Sequence, residues 1–115
     1  MEQILLTGNQ YRELTKNILH SIERKYRIAP LNSLRNVKYS LKYPVYITLE
    51  YEAEGVIASF DEIETFSFAD TESEAIDQLC EEIVQVYEEL ADDEQNLGPL
   101  PEKWLQYLKE IIECR

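Results

Sequence analysis

Three carboxylates, Asp61, Glu64 and Asp70, are the residues whose type could hold a magnesium ion, because hard cations take oxygen ligands. The spacing predicts them around one end of a sheet. Each also has an ordinary role: Asp61 and Glu64 as loop residues, and Asp70 just ahead of a capped helix. His20 is the only histidine, so no histidine pair exists to ligate a metal. It falls off the centre of an apolar helical face, a boundary position rather than that of a general base. The chain has no G-x-S-x-G elbow, no phosphate-cradling glycine loop and no Cys/His nucleophile arrangement. Cys80 sits in an apolar stripe and reads as a small buried hydrophobe. With Cys114 it makes neither a disulfide framework nor a zinc site, which fits a reducing cytoplasmic setting. The expectation is a non-enzyme without cofactor or metal.

Binding chemistry has more support. Tyr39, Tyr43, Tyr46 and Tyr51 stand near Arg35, Lys38 and Lys42, a combination that suits stacking and phosphate contact on single-stranded RNA. The charge argues against it beyond that stretch. Lys+Arg number 11 and Asp+Glu 23, a net charge of −12, and so acidic a chain is repelled by nucleic acid. The balance steps at one point. Residues 1–43 carry 8 basic and 3 acidic side chains, net +5, and residues 44–115 carry 3 and 20, net −17. Such a step suggests two modules with different partners, or a self-complementary pair. Nucleic acid is therefore expected only through the basic first part, and a basic protein is the natural partner of the rest. No apolar run approaches the roughly 20 residues of a membrane span, and the first residues lack the basic flank and long apolar run of a signal peptide.

The elements that would position these residues follow from periodicity. Thr7 and Gln10 form a capping-box pattern, and Tyr11, Leu14, Ile18, Ile22 and Tyr26 then recur at helical spacing. Ala29-Pro30 stops that helix. Residues 33–42 fit a short helix (Leu34, Val37, Leu41) or an extended strand (Tyr39, Leu41, Tyr43), with the helix favoured. From Pro44 the period is two. Val45, Ile47, Leu49 and Tyr51 alternate with Tyr46, Thr48, Glu50 and Glu52, the pattern of a strand with one wet face. Glu54-Gly55 supplies a reversal through a positive φ at the glycine. Residues 56–60 return, and residues 65–69 add a third strand of a meander. Thr71 and Glu74 then cap a helix whose apolar stripe is Ile76, Leu79, Cys80, Ile83, Tyr87 and Leu90. Pro101 opens a last helix with Trp104, Leu105, Leu108, Ile111 and Ile112 inward.

The predicted fold is α+β: a basic helical arm over residues 1–42, then an acidic region over 43–115. That region holds a three-stranded antiparallel meander packed by a capped amphipathic helix, with a C-terminal helix after it. A fourth strand is expected from residues 3–6 or from a partner chain. The exposed sheet edge and the two remaining apolar helices suggest a homodimer.

The order Tyr43-Pro44-Val45, then Ala58-Ser59-Phe60-Asp61, then Asp70-Thr71-Glu72-Ser73-Glu74-Ala75 resembles the HicB-like antitoxin domain across residues 43–90. The resemblance implies a partial ribonuclease-H-like meander followed by a helix. It implies a non-catalytic protein that binds and silences a small basic messenger-RNA-cleaving toxin of the HicA type or another such interferase, by masking its RNA surface. A stand-alone HicB-like regulatory or scaffold role without a toxin is the alternative. The chain departs from the family pattern at Ala69, where a glycine often precedes Asp-Thr, and at residues 61–64, which replace a Pro/Gly loop. Its tail, with Asp92-Asp93-Glu94 and an amphipathic helix, lacks the look of a DNA-binding segment, and residues 1–42 extend beyond the usual domain. Glu81, Glu88, Glu89, Asp92 and Asp93 are the residues expected to meet the partner's positive surface.

Overall fold

The computed structural model describes residues 26–115. The capped helix expected before Tyr26, His20 and the alternative strand at residues 3–6 lie outside the described residues.

Strand alternation builds the centre of the molecule. β3 (Val45–Glu52), β4 (Gly55–Phe60) and β5 (Thr65–Ala69) form the predicted antiparallel meander. The fourth strand is β1 (Tyr26–Leu31), antiparallel to β3, so the sheet runs β1-β3-β4-β5. This corrects the reading of residues 26–31 as the end of a helix. Proline is tolerated on an edge strand, where a missing N–H costs no ladder bond, and Pro30 stands on such an edge. The same preference of a pre-proline residue for extended backbone that stops a helix also favours a strand.

Two further corrections concern short segments. Residues 33–42 form no helix: after an irregular stretch they yield β2 (Tyr39–Leu41). The C-terminal helix stops at Ile111, and the next three residues form β6 (Ile112–Cys114), which pairs with β2. Backbone bonds lock this two-stranded patch at both ends, Lys42 N–H to Ile111 O at 2.7 Å and Arg115 N–H to Lys38 O at 2.9 Å. Residues 26–42 are thus woven into the body through both sheets.

The long helix α1 (Glu72–Asp92) starts where predicted. Thr71 is extended, and its hydroxyl accepts from the Glu74 N–H at 3.2 Å, satisfying one orphan donor of the first turn. α1 packs on β4 and β5. Ala75, Leu79, Cys80, Ile83 and Val84 are buried, in one core with Ala29, Leu31, Val45, Ile47, Leu49, Val56, Ala58 and Phe60 from the sheet. Ser67 is the single buried polar residue among the described residues, and its hydroxyl donates to Ala75 O at 2.6 Å, tying β5 to the first turn of α1. α2 (Pro99–Ile111) closes the core with Leu105, Leu108 and Ile111, and the Tyr107 ring sits 6.0 Å from that of Phe60. No helix among the described residues is long and apolar enough to cross a membrane.

Arg27, Tyr51 and Glu72 join three elements at one corner. Glu72 accepts from the Tyr51 hydroxyl and from the Arg27 guanidinium. The Tyr51 hydrogen bond, with Arg27 beside it, holds the Glu72 carboxyl below its ordinary value. The helix N-terminus also favours that negative charge.

Gly55 is required for space, not for a reversed backbone. No described glycine has a positive φ, which corrects the turn argument. A Cβ at Gly55 would lie 2.4 Å from Ala69 O and 2.8 Å from the Phe68 ring.

Two outcomes follow. Gly55→Ala is expected to cost about 1–3 kcal/mol, as overpacking against backbone does, read as a lower urea midpoint with unchanged slope. For Glu72, a depressed folded value means its contribution is present at neutral pH and is lost as pH falls through that value. Glu72→Gln should therefore lower Tm at neutral pH, and the gap to the parent should close as the pH is taken below the ordinary carboxylate range.

Candidate functional site

Asp61, Glu64 and Asp70 are expected around one end of the sheet, and the register tests that placement. Phe60 pairs with Thr65 while Val56 pairs with Ala69. Asp61 and Glu64 therefore flank the short helical turn at one end of the β4–β5 pair, and Asp70 leaves β5 at the other. At roughly 3.3 Å per residue the five-residue strand separates them by about 16 Å. The expected clustering at one end of the sheet is corrected by this geometry. Among the described residues, no group of three or more His, Cys, Asp or Glu side chains is arranged to hold a metal ion.

The tyrosine–cation combination is also taken apart by the fold. Tyr39 is buried, its ring edge-on to Tyr87 at a 5.4 Å centroid distance, with its hydroxyl donating to Glu88 at 3.0 Å. Burial first, then that bond to Glu88, raises the Tyr39 phenol above its ordinary value. Tyr51 is held at the Glu72 corner, while Tyr43 and Tyr46 are exposed elsewhere. The neighbouring cations are engaged: Arg35 pairs with Asp77, Lys38 with Glu88 at 3.6 Å, and the Lys42 ammonium donates to Lys109 O at 3.4 Å. Four side chains meant for one stacking platform thus lie on different surfaces.

The acidic residues expected at a partner surface do come together. Glu81, Glu88 and Asp92 recur at spacings of seven and four along α1, which places them on one stripe, with Glu89 beside it. All of them are exposed, as is Asp93 at the C-terminal cap. Their surroundings differ. Glu88 is committed within the molecule to Tyr39 and Lys38. Glu89 accepts from the Gln85 amide at 3.0 Å, and Asp93 accepts from the Asn96 amide at 2.9 Å, both weak local contacts on open surface. Asp92 lines a shallow cleft with Lys38, Tyr39, Tyr87, Glu88 and Cys114. Across the described residues, four ion pairs engage four carboxylates. Residues 26–115 carry 20 acidic and 7 basic side chains, so most of the negative charge has no cationic partner among them.

Sequence reasoning missed one surface. The register aligns Ile28 with Thr48, Ser59 and Phe66, and Tyr26 with Glu50, Ile57 and Phe68, across the face of the sheet turned away from α1. Phe66 and Phe68 were legible as alternating strand residues. The apolar face emerges only when β1 is known to be a strand.

Comparison with protein-family models, with curated proteins and with solved structures returns no match to this chain.

The two cysteines should behave oppositely. Cys80 is buried, and burial pushes its thiol up to about 11, whereas Cys114 is exposed. A thiol reagent near pH 8 should modify Cys114 at once and Cys80 on the order of 100-fold more slowly or only after denaturation. Cys114→Ser should remove the fast phase entirely.

Proposed function

We propose that this protein is an antitoxin-like inhibitor: a non-catalytic, cytoplasmic protein that binds a small basic messenger-RNA-cleaving toxin and covers its RNA-holding surface. The observation that carries the reading is the exposed carboxylate stripe on α1, running through Glu81 and Asp92 with Glu89 beside it. It lies on the helix that follows the meander in HicB-like order. An RNA-cleaving protein must hold phosphates, so its working surface is positive. A rigid helix with a row of carboxylates presents the complementary field and competes with RNA for that surface.

The fold supports a stable platform for this task. The stripe stands on a helix whose opposite side is fixed in the core by Leu79, Cys80 and Ile83. Its charges are therefore held in place before the partner arrives, which reduces the ordering cost of association. Exposed pairs of this kind act mainly on encounter. Steered association reaches about 10⁸–10⁹ M⁻¹s⁻¹ at low salt, against about 10⁵–10⁶ without steering.

The test uses the full-length protein and a HicA-type toxin encoded beside its gene, with stopped-flow association and RNA cleavage as readouts. The variant is Glu81→Lys, Glu89→Lys and Asp92→Lys together. Glu88 is left intact because its loss would also strip Tyr39 and Lys38 of their partner. The parent should block cleavage, and its association should slow about 10-fold or more between roughly 50 and 500 mM salt. The triple variant should associate at least about 10-fold more slowly at low salt. Association indifferent to both salt and charge reversal, or unimpeded cleavage at saturating parent protein, would overturn the reading.

A further inference from the structure

The four-stranded sheet has two edges, β1 and β5. An edge strand holds a row of backbone N–H and C=O groups out beyond the sheet, a template for another strand. Proteins blunt such edges with proline, charge or a bulge. β1 carries two of these devices, Arg27 and Pro30. β5 carries none: Thr65–Ala69 is uncharged, has no proline and pairs with β4 residue for residue without a bulge. Among the described residues, no strand pairs with the outer side of β5.

The same strand reads nearly alike in both directions, as Thr65-Phe66-Ser67-Phe68-Ala69. Two identical strands paired antiparallel are related by a two-fold axis, so the contact must be self-complementary. With the axis at Ser67, Phe66 of one copy lies opposite Phe68 of the other, and Thr65 lies opposite Ala69. Moving the axis to Phe66 or to Phe68 would set the other phenylalanine against Glu64 or Asp70. One register therefore matches like with like.

We propose that a second copy of this chain pairs with β5 in this register, joining two four-stranded sheets into one. Four phenylalanine rings then line up across the join, and cross-strand aromatic pairs stabilise antiparallel sheets. Phe66 is 65% and Phe68 47% exposed, so each has on the order of 100 Å² of surface to bury. With the two strand edges this stays under about 1,200 Å², the range of weak, reversible association.

Charge sets where and how the copies meet. In a chain of net charge −12, β5 offers an approach free of carboxylates between Glu64 and Asp70. Those two mark the ends of the contact, where Glu64 of one copy comes near Asp70 of the other. α1 packs on β4 and β5, so the two acidic helices also come alongside. Salt screens all of these charges and therefore tightens the pair, the opposite of its effect on a charge-steered partner. The contact uses the sheet edge and stands independently of the toxin reading.

The test is sedimentation equilibrium of the full-length protein from about 1 μM to 1 mM, with amide hydrogen exchange at both ends of that range. A reversible dimer should appear as concentration rises, and added salt should lower its Kd several-fold. Protection should rise with concentration among the β5 amides and not among those of β1. Phe66→Glu, which sets a carboxylate against the second copy's Phe68, should be monomeric throughout, with Leu49 and Ile83 methyl shifts in place. Glu64→Lys, which brings a cation to the second copy's Asp70, should tighten the dimer several-fold. A parent that stays monomeric over the whole range overturns the inference. So does a dimer that survives Phe66→Glu, loosens in Glu64→Lys or protects β1 instead.

Discussion

The seating of α1 on the inner face of the sheet is the interaction on which the other features depend. Leu79 and Ile83 are wholly buried in the same core as Ala58, Phe60 and Leu49. Burial of a side chain of this size contributes about 1.5–3 kcal/mol, and here it also fixes direction. Thr71 sets where the helix begins, and Ser67 pins its first turn to β5. Once that side is fixed, the helix has one rotation open to it, and its carboxylates must face solvent.

The step in charge along the chain acquires a physical meaning from the same packing. β1 and the segment after it place their cations on α1: Arg27 meets Glu72, Arg35 meets Asp77, and Lys38 meets Glu88. Glu72 and Asp77 lie about one and a half turns apart and Asp77 and Glu88 about three, so the described part of the basic segment acts as a stitch down the acidic helix. Each such exposed pair contributes little by itself. Together with the β2–β6 patch they hold an otherwise irregular stretch in register. Arg27, Arg35 and Lys38 thus meet α1 inside the molecule, and in the distal half of the helix Glu81, Glu89 and Asp92, unlike Glu88, have no cationic partner among the described residues.

A one-sided sheet also separates two surfaces of different chemistry. The carboxylate stripe belongs to the helix layer, and the aromatic face belongs to the opposite side of the sheet. An acidic surface recognises at a distance and depends on salt, whereas an apolar face works only in contact. The two are backed by the same core, so neither can move without disturbing the other.

What the sequence determined by itself was local. Alternation across residues 45–52, 56–60 and 65–69 and the Thr71 cap specified three strands and α1, because period and capping are short-range properties. The burial of Cys80 followed from its place in the α1 stripe for the same reason. What only the tertiary structure decided was pairing. Tyr26 stands at the end of a helical stripe in the sequence, yet it also alternates with Ile28 as in a strand, and β3, offering an unpaired edge, selected the strand. Tyr39–Leu41 and Ile112–Cys114 are each too short to specify a strand alone; they exist because they meet. The distance between Asp61 and Asp70 and the grouping of Ile28, Ile57, Phe66 and Phe68 were likewise set by register, since which side chains become neighbours across a sheet depends on strands distant in the chain.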